Sequence, residues 1–376
     1  MKIEIQQEDL QHALSIVANV VPAKTTLPIL TCILVEAEAE KLVFSVTNLD
    51  ISIVTATDKV KVQKPGKVAV PAAKFITFVR SLSPGLVTIE EKKGKVWVVA
   101  GKASLEEPSM NAEEFPALPS TASGHALDLK AADLANMIRV TSYSVSKDET
   151  RPALMGILWE IRPADLTLVA TDAHRLARCH RGVEWDISTD RDLIVDTKGL
   201  LQFVRLSEGE DKIQVYVGEN QLSFQIGATQ LHTRLLEGPF PDYAAVIPQN
   251  NDKILTLDRD AFNQAIRRVS ITADRITSQI RLNIASGVME LSATGTDGSH
   301  AEDQVEVSYD GEQVEIGFNY TYLLDILKNI SAPSIQLSIK DPQSAALIEP
   351  VKEDDQEGKG DPELLCLLMP LRLTSD

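Results

Sequence analysis

The sequence is poor in cysteine, in aromatic residues and in long apolar runs. Its three cysteines, Cys32, Cys179 and Cys366, stand far apart in a chain of 376 residues. That usage is typical of reduced thiols and excludes a disulfide framework. Met1 is not followed by a basic region with an apolar run behind it, and no apolar run approaches the length of a membrane span. These absences predict a cytoplasmic protein without a membrane segment.

Motifs that carry chemistry are also missing from the sequence. It contains no Gly-rich phosphate loop and no assembled catalytic triad. Cys179 and His180 are adjacent, but no second pair lies at zinc-ligand spacing. We therefore expect no metal, no cofactor and no catalytic residue. What the chain has in excess is acid, with a net charge of −17.

A short strand that runs into an amphipathic helix occurs three times. Apolar residues alternate at Ile3 and Ile5 and then follow helical spacing from Leu10 to Val17. This is a change from the period of a strand to the period of a helix. The same pattern starts again at Leu127 and at Leu255, after 124 and 128 positions.

A second strand–helix pattern repeats in step with the first. Its helices carry Phe75, Leu200 and Leu323, at separations of 125 and 123 positions. Phe115-Pro116 likewise returns 125 positions later as Phe240-Pro241. Two patterns in register at nearly one period indicate three domains of one design, each with two helices and many strands. We place the domains at residues 1–122, 123–250 and 251–376.

The outward faces of the predicted helices are basic, although the chain as a whole is acidic. In each helix, the residue five positions after the first apolar residue of the buried stripe lies almost on the opposite face. In the six helices this position holds Ser15, Arg80, Arg139, Arg205, Arg267 and Lys328. With 37 basic residues in 376, composition alone predicts fewer than one cation among them. Solubility is one explanation; the other is that these faces turn toward a polyanion.

Two segments of the chain are strongly polar. Residues 106–124, rich in Glu, Pro and Ser, would close the first domain. Residues 349–363 carry seven acids and two lysines, a composition that predicts a solvated, mobile loop.

Several strings together resemble the bacterial DNA polymerase III β subunit family, the sliding clamps. Each string alone is weak, but they extend over the whole chain in the order and spacing of the family. They are Thr26-Leu27-Pro28-Ile29-Leu30, Ala170–Ala177, Phe240-Pro241-Asp242-Tyr243, Ile316-Gly317-Phe318-Asn319 with Tyr322, and Met369-Pro370-Leu371-Arg372-Leu373. The resemblance implies an α+β fold of three repeated clamp domains, each with two helices packed on antiparallel sheets. It also implies a head-to-tail dimer that closes a ring of six domains.

The resemblance further implies a peptide-binding pocket. Its residues here would be Arg151, Leu154, Thr171, Ala173, His174, Arg175, Leu176, Pro241, Val246, Asn319, Tyr322, Met369, Pro370, Leu371, Arg372 and Leu373. From the apolar chain end we expect Pro370 to lie on an edge strand or to mark where the strand leaves the sheet. We expect Arg151 and Arg175 at the pocket rim, where they would pair with the peptide. Ala173 departs from the family, which usually has Gly at this position.

DNA contacts and dimer contacts are implied in the same way. The resemblance and the helix-face pattern together indicate phosphate contacts by Lys24, Lys74, Arg80, Arg139, Lys147, Lys198, Arg205, Arg267 and Arg281. Such contacts carry no base readout. Leu105 and Ile271 are the candidates for the dimer interface.

The family implies a homodimer on double-stranded DNA of any sequence. Its protein partners would be the catalytic subunit of the replicative polymerase, a clamp loader and other proteins with a clamp-binding motif, namely repair polymerases, ligase and mismatch-repair proteins. Two other interpretations stay open. One is a repeat-built cytosolic hydrolase with His174 and Asp172 as an acid–base pair, and the other is a sequence-specific DNA-binding regulator.

Overall fold

The computed structural model describes residues 1–119, 125–183, 190–351 and 362–373. The chain divides into two compact units. The first consists of Met1–Ala135 with Lys198–Leu235, and the second of Asn136–Thr197 with Leu236–Asp376. The predicted tail 374–376 and most of the acidic segment 349–363 lie outside the described residues.

Each of the six predicted helices is present, directly after a strand. The described α-helices are α1 (Gln7–Val17), α2 (Ala72–Ser81), α3 (Ala131–Ser142), α4 (Thr197–Leu206), α5 (Arg259–Val269) and α6 (Tyr320–Asn329). Short 3-10 helices are Ala18–Val20, Pro28–Thr31, Ala112–Glu114, Pro152–Met155 and Ala244–Val246. The switch from strand period to helix period is therefore confirmed as the signal for all six strand–helix units.

Strands make up most of the remaining chain. In the first unit they are β1 (Lys2–Gln6), β2 (Cys32–Ala37), β3 (Leu42–Thr47), β4 (Ile51–Thr57), β5 (Val60–Lys64), β6 (Gly66–Pro71), β7 (Leu86–Lys92), β8 (Lys95–Ala100), β9 (Ala103–Pro108) and β10 (His125–Lys130). The next are β11 (Gly156–Arg162), β12 (Asp165–Thr171), β13 (Arg175–Gly182), β14 (Arg191–Asp196), β15 (Lys212–Val217), β16 (Gln221–Ile226) and β17 (Thr229–Arg234). The last are β18 (Lys253–Asp258), β19 (Gln279–Ala285), β20 (Val288–Thr294), β21 (His300–Ser308), β22 (Val314–Asn319), β23 (Ser334–Ile339), β24 (Ala346–Pro350) and β25 (Glu363–Leu368).

The first unit contains two antiparallel sheets. One has the order β5-β1-β7-β8-β9, and the other has the order β10-β15-β16-β17-β4-β3-β2-β6. The second sheet is continuous because β17 pairs with β4, for example Thr233 opposite Ile51. Strands from separate sequence repeats thus share one hydrogen-bonded sheet.

The second unit contains one antiparallel sheet of twelve described strands, in the order β14-β11-β12-β13-β25-β24-β23-β18-β21-β20-β19-β22. Here the pairing of β13 with β25 makes the sheet continuous, with Arg175 opposite Leu368. The two pairings β4–β17 and β13–β25 occupy corresponding places in the repeat.

The helices cover the sheets with one apolar face each. In α1 this face is Leu10, Ala13, Leu14 and Val17, and all four are buried. Phe75 of α2 and Phe262 of α5 are fully buried as well. Complete burial of such a side chain stabilises the fold by about 1.5–3 kcal/mol. The outward faces stay free for charged residues.

The segment 106–124, predicted to close the first domain, begins inside a strand. Glu106 and Glu107 belong to β9, which pairs with β8 along its length. The segment Ala103–Pro108 has few β-branched residues, so its composition does not reveal a strand. In the described part of the chain, no helix is long and apolar enough to cross a membrane.

Candidate peptide-binding and DNA-binding sites

The turn between β12 and β13 is built by the side chains of Thr171 and Asp172. Thr171 Oγ1 accepts from Ala173 N at 3.2 Å and donates to Arg175 O at 2.7 Å. Asp172 Oδ1 accepts from His174 N and from Arg175 N, at 2.9 and 3.0 Å. Asp and Thr favour such local bonds, which replace backbone pairing in a tight turn. Ala173 has φ +75°, the left-handed conformation that suits the Gly usual in the family.

Arg175 lies beneath this turn and not at a rim. Its Nε is 3.0 Å from Asp172 Oδ2, and its Nη1 is 2.6 Å from Asp325 Oδ2. The guanidinium also lies 5.4 Å from the ring centroid of Tyr143 and 4.5 Å from that of Tyr322. The prediction of a rim cation is therefore wrong for Arg175, because the side chain is 9% exposed and both carboxylates already bind it.

The environment of Arg175 keeps it charged. Burial disfavours the cation, but the hydrogen bond that Arg175 donates to Asp325 and the charge of Asp172 outweigh burial and raise the pKa of Arg175. Behind it, the Tyr143 hydroxyl lies 3.2 Å from Cys366 Sγ. Burial raises the pKa of Cys366 and Cys179 to about 12, so both thiols stay protonated and unreactive. These groups form a rigid base for the turn.

The first turn of α6 completes one side of the site. Asn319 caps the helix, since its Oδ1 accepts from Thr321 N at 2.9 Å. This cap fixes Tyr322, whose ring stacks with that of His174 at 6.4 Å between centroids and 20° between planes. His174 is thus held against an aromatic ring and is itself exposed.

The chain end completes another side of the site. β25 lies between β13 and β24, inside the sheet. At Met369 the chain leaves the sheet: Met369 N donates to His174 O at 2.9 Å, and Leu371 N donates to Gly317 O at 2.8 Å. Pro370, which has no N–H, falls between these two bonds. The prediction that the strand departs there is confirmed, and Met369 is left 41% exposed.

An apolar cluster forms the floor next to this chain end. Its buried members are Leu158, Val169, Leu176, Ile194, Ala345, Leu347 and Leu367. Phe240, Tyr243 and Ile247 of the segment 236–250, which we call the connector, pack against it. Tyr243 is anchored by a 2.6 Å hydrogen bond from its hydroxyl to Glu160 Oε2. The connector therefore has a fixed position over the sheet.

All sixteen predicted pocket residues belong to the second unit, and their exposure differs. Arg151, Ala173, His174, Pro241, Val246, Met369 and Arg372 are exposed. Asn319, Tyr322, Pro370, Leu371 and Leu373 are half-buried, whereas Leu154, Thr171, Arg175 and Leu176 are buried. Ala153, next to Leu154, packs on the apolar cluster. The sequence analysis missed Tyr143 and Asp325, which touch Arg175 from other elements and carry no motif of their own.

Most of the predicted DNA-binding cations are exposed on the surface of their own unit. Lys24, Lys74, Arg80 and Lys198 are exposed in the first unit, and Arg139, Lys147 and Arg267 are exposed in the second. Lys74 and Arg281 take part in ion pairs. Lys74 lies 3.2 Å from Glu107, and half-buried Arg281 lies 2.8 Å from Glu315. These pairs reduce the positive charge that Lys74 and Arg281 present.

Arg205 has a structural role that the helix-face pattern did not reveal. Its Nη1 and Nη2 donate to the carbonyl oxygens of Ser15 and Ile16, at 3.2 and 2.7 Å. Those carbonyls lie in the last turn of α1, which contains no basic residue of its own. A cation there stabilises the helix end. Burial lowers the pKa of Arg205, and the structure thus argues against a phosphate contact by this residue.

The candidate interface residues lie in different units and differ in exposure. Half-buried Leu105 is in β9, which among the described strands pairs only with β8 and is thus an edge strand. Ile271 follows α5 and is 82% exposed. Single exposed apolar residues are common, but an aliphatic side chain as exposed as Ile271 is typical of a contact surface, and so is an unpaired strand edge such as that of β9.

Comparisons with known proteins agree with this architecture. Models of the N-terminal, central and C-terminal domains of the DNA polymerase III beta subunit match residues 1–119, 128–242 and 244–359. The chain belongs to the DNA polymerase III β subunit family. The β subunit is a processivity factor, so the prediction that the chain is not an enzyme is confirmed by the family.

Individual relatives match over their whole length. The beta sliding clamp of Pseudomonas putida is 30% identical over 375 residues, which cover 99% of this chain and all of that protein. The clamp of Caulobacter vibrioides is 32% identical over 382 residues, with 99% of this chain and all of that protein covered. A crystal structure of the Pseudomonas aeruginosa sliding clamp bound to griselimycin superposes with a TM-score of 0.93 at 30% identity, covering 99% of this chain and all of that one.

Proposed function

We propose that this sliding clamp closes into a ring as a head-to-tail homodimer around duplex DNA and tethers the replicative polymerase. The observation that carries the proposal is the set of exposed cations at one helical position. Arg80, Arg139, Arg267 and Lys328 occupy it on four helices of a chain with net charge −17. Faces of this kind suit contact with phosphates, which requires no base readout.

A closed ring explains why weak contacts are sufficient. A ring linked to DNA cannot dissociate sideways, so its phosphate contacts can be weak and exchange during sliding. The acidic remainder of the chain repels DNA from surfaces outside the hole. Lys24 and Lys147 are further candidates for phosphate contacts, and Lys198 is another, which already has an interaction within the chain. Lys74, Arg205 and Arg281 contribute less in this proposal, because each is already engaged within its own unit.

The joints of the ring would use two open strand edges. β9 leaves one edge unpaired. β21 pairs with β18 only through Val307 and Ser308, so the edge at residues 300–306 is open. Open edges favour pairing with another strand. Leu105 and Ile271 would supply the apolar contact of each joint, and three domains at 1–122, 123–250 and 251–376 would form half of the ring.

The partner site would be the groove around His174, Tyr322 and Met369. Apolar side chains of a partner peptide would contact the floor at Leu176, with Pro241 and Val246 as the opposite wall. Flexible Met369 suits one groove that serves several peptides. Since Arg175 is buried and paired, Arg151 is the predicted rim residue that could still meet acidic groups of a peptide; it is 59% exposed, with its Nε 3.7 Å from Asp148 Oδ2. The polymerase, a clamp loader and repair proteins would compete for this groove in the cytoplasm.

The structure gives both residues of the alternative acid–base pair a different role. Asp172 accepts two backbone N–H groups and binds Arg175. His174 stacks on Tyr322. These contacts explain Asp172 and His174 as parts of a turn, and no observation favours a hydrolase or a sequence-specific regulator.

A primer-extension assay with the replicative polymerase tests the proposal. With a clamp loader and ATP, the chain should lengthen the products made in one binding event. Deletion of Met369–Asp376 should abolish this effect and the binding of the polymerase and of the loader, yet leave the dimer intact. Full stimulation by the truncated chain would place the partner site elsewhere.

A further inference from the structure

The turn between β3 and β4 is built like the turn between β12 and β13. Thr47 Oγ1 accepts from Leu49 N at 3.0 Å and donates to Ile51 O at 3.3 Å. Residues 47–51 thus correspond one by one to residues 171–175. The strand after each turn joins two repeats, β4 through its pairing with β17 and β13 through its pairing with β25. The two internal junctions can therefore be compared residue by residue.

Both junctions follow one strand register. Ser52 of β4 and Leu176 of β13 stand at the same place, because each lies opposite the threonine that begins its turn. Across the junction, Ser52 lies opposite His232 of β17, and Leu176 lies opposite Leu367 of β25. These pairs define the register in which one repeat joins the next.

The two open strand edges, on β21 and β9, have positions that correspond to these pairs. His300 of β21 corresponds to Ser52, because it lies opposite the threonine that ends β20, across a turn that is one residue longer. Glu106 of β9 corresponds to His232 of β17, because each is the fourth residue of its strand after a two-residue hairpin turn. The same register would therefore place His300 opposite Glu106 of a second copy of the chain.

The alternation of burial along the strands supports this register. The neighbouring pair across the joint would be Ala301 and Leu105, which are half-buried in the single chain. The corresponding pairs in the two internal junctions are fully buried, namely Ile53 with Leu231 and Ala177 with Cys366. His300 and Glu106, by contrast, are exposed. A shift by one residue would turn these two polar side chains toward the buried layer.

We propose that His300 binds Glu106 of a second copy across each joint of the ring, and that this contact tightens the ring as pH falls. The inference rests on the proposed ring and names a contact that holds it closed. Directly opposite residues of antiparallel strands have Cβ atoms about 4.5–5.5 Å apart, which allows a hydrogen bond between an imidazole and a carboxylate. Imidazoles change charge between about pH 5 and 8, and the carboxylate would bind the protonated form.

The charged groups around His300 set the direction of the pH effect. In its own chain, His300 Nε2 lies 2.8 Å from Glu302 Oε1, and Nδ1 lies 3.0 Å from Thr294 Oγ1. In the second copy, Glu106 forms an ion pair with Lys95. Two carboxylates and one ammonium would thus lie near the imidazole, which favours its protonated form. With a neutral imidazole, Glu302 and Glu106 would face each other without a cation between them, so the joint weakens as pH rises.

The other charged groups at the joint leave this direction unchanged. Glu107 would lie opposite Ser299 in the same register, and it already pairs with Lys74 at 3.2 Å. Asp303 of β21 is bound by Arg268. Each of these ion pairs is complete within one chain, and its members keep their charge in the pH range where an imidazole titrates.

A pair of cysteines tests the register. In the double variant His300→Cys, Glu106→Cys, each joint would bring two thiols into the range of a disulfide. Mild oxidation should then give a covalent dimer on a non-reducing gel. The matched control is Glu302→Cys, Glu106→Cys, in which the thiol on β21 is two residues out of register, so that little covalent dimer should form. The native cysteines are buried and should not contribute.

Sedimentation velocity at pH 6 and at pH 8 tests the contact itself. The dissociation constant of the wild-type dimer should be about threefold lower at pH 6, as expected for an exposed ion pair. Glu106→Gln and His300→Gln should each remove this difference. Glu208→Gln, at an exposed carboxylate after α4, is the control and should retain it.

Covalent dimer from both cysteine pairs alike, or from neither pair in a chain that sediments as a dimer, would overturn the register. A wild-type dissociation constant that does not fall at pH 6, or a pH dependence that persists in Glu106→Gln, would overturn the contact. A wild-type chain that sediments as a monomer at both pH values would be a different result, since it would refute the proposed ring itself.

Discussion

Asp325 shows how a residue outside the predicted pocket can control it. Its carboxylate holds Arg175, which in turn supports the turn at His174 and the ring of Tyr322. The corresponding place in the first unit has Ile51 instead of Arg175 and builds the same turn. The arginine and its partners are therefore not needed to form the turn, and we infer that they fix the surface of the groove.

Asp325→Asn should weaken peptide binding about fivefold, since the half-exposed ion pair contributes about 1 kcal/mol. Dimer formation should be unchanged. Anisotropy titrations would measure the affinity, with Asp260→Asn in the first turn of α5 as a control and Asp325→Glu as a partial rescue. If Asp325→Asn binds like the wild type, Asp325 does not position the groove.

The burial of His232 predicts that the stability of the fold depends on pH. The ring is 2% exposed, and within the described part of the chain its Nε2 has no hydrogen-bond partner. Burial lowers the pKa of His232 from 6.5 to about 4. Between these values the unfolded chain binds a proton that the folded chain does not. Stability is therefore lost as pH falls from 6.5 toward 4, by about 3 kcal/mol in total.

Urea unfolding at pH 7.5 and at pH 5 would measure this effect. His232→Gln should lose less stability than the wild type between the two values, whereas His12→Gln, on the exposed face of α1, should lose as much as the wild type. An identical pH dependence for wild type and His232→Gln would mean that the folded chain accepts the proton on His232.

For single residues, the sequence predicted which side of a helix a side chain occupies better than it predicted which residues the side chain contacts. Helical periodicity correctly placed Arg80, Arg139 and Arg267 on exposed faces. Helical periodicity does not show which element packs beside the outward face of a helix. It therefore missed that Arg205 of α4 donates to the carbonyl oxygens of α1. The family resemblance placed Arg175 at a rim, because a motif match does not show that Asp325 approaches this arginine from α6.

Among the elements, the edge strands are the ones on which the proposed assembly depends. β9 was not predicted from the sequence, because Ala103–Pro108 has few β-branched residues; its pairing with β8 reveals it. The helices, by contrast, were all predictable, since each buries a stripe at helical spacing after an alternating strand. Strand pairing depends on residues distant in the sequence, which local patterns do not contain.

Leu105→Asp combined with Ile271→Asp should give a folded monomer, because a charge in an apolar joint is costly to bury. Analytical ultracentrifugation would measure the mass, and circular dichroism would show that the fold is retained. Val99→Asp, an exposed residue on a sheet face, should leave the dimer intact. An unaltered dimer in the double variant would refute this assignment of the interface.

At the scale of the whole molecule, the proposal assigns two roles to charge. The exposed cations would contact DNA, and the acidic remainder of the chain would repel it. Reversal of Arg80, Arg139 and Arg267 to Glu should weaken contact with DNA at low salt, equally on every sequence, because phosphates carry no sequence information. Loading onto DNA should fall as well. The fold should persist, since the three side chains are exposed.

Band-shift titrations on two unrelated duplexes would measure this loss. Replacement of Lys41, Lys92 and Lys95 by Glu is the matched control, because these three lysines are exposed on strands or at strand ends and should matter little. Normal loading by the triple arginine variant would show that these helix faces do not meet DNA.

In the proposed ring, the chain stays on DNA because it encircles the duplex. The most direct measurement loads the protein onto nicked circular DNA, cuts the circle once and follows the protein that remains bound by gel filtration. The account predicts stable retention on the circle and rapid loss through the ends after the cut. Equal retention on circular and linear DNA, or loss from the intact circle at the same rate, would contradict it.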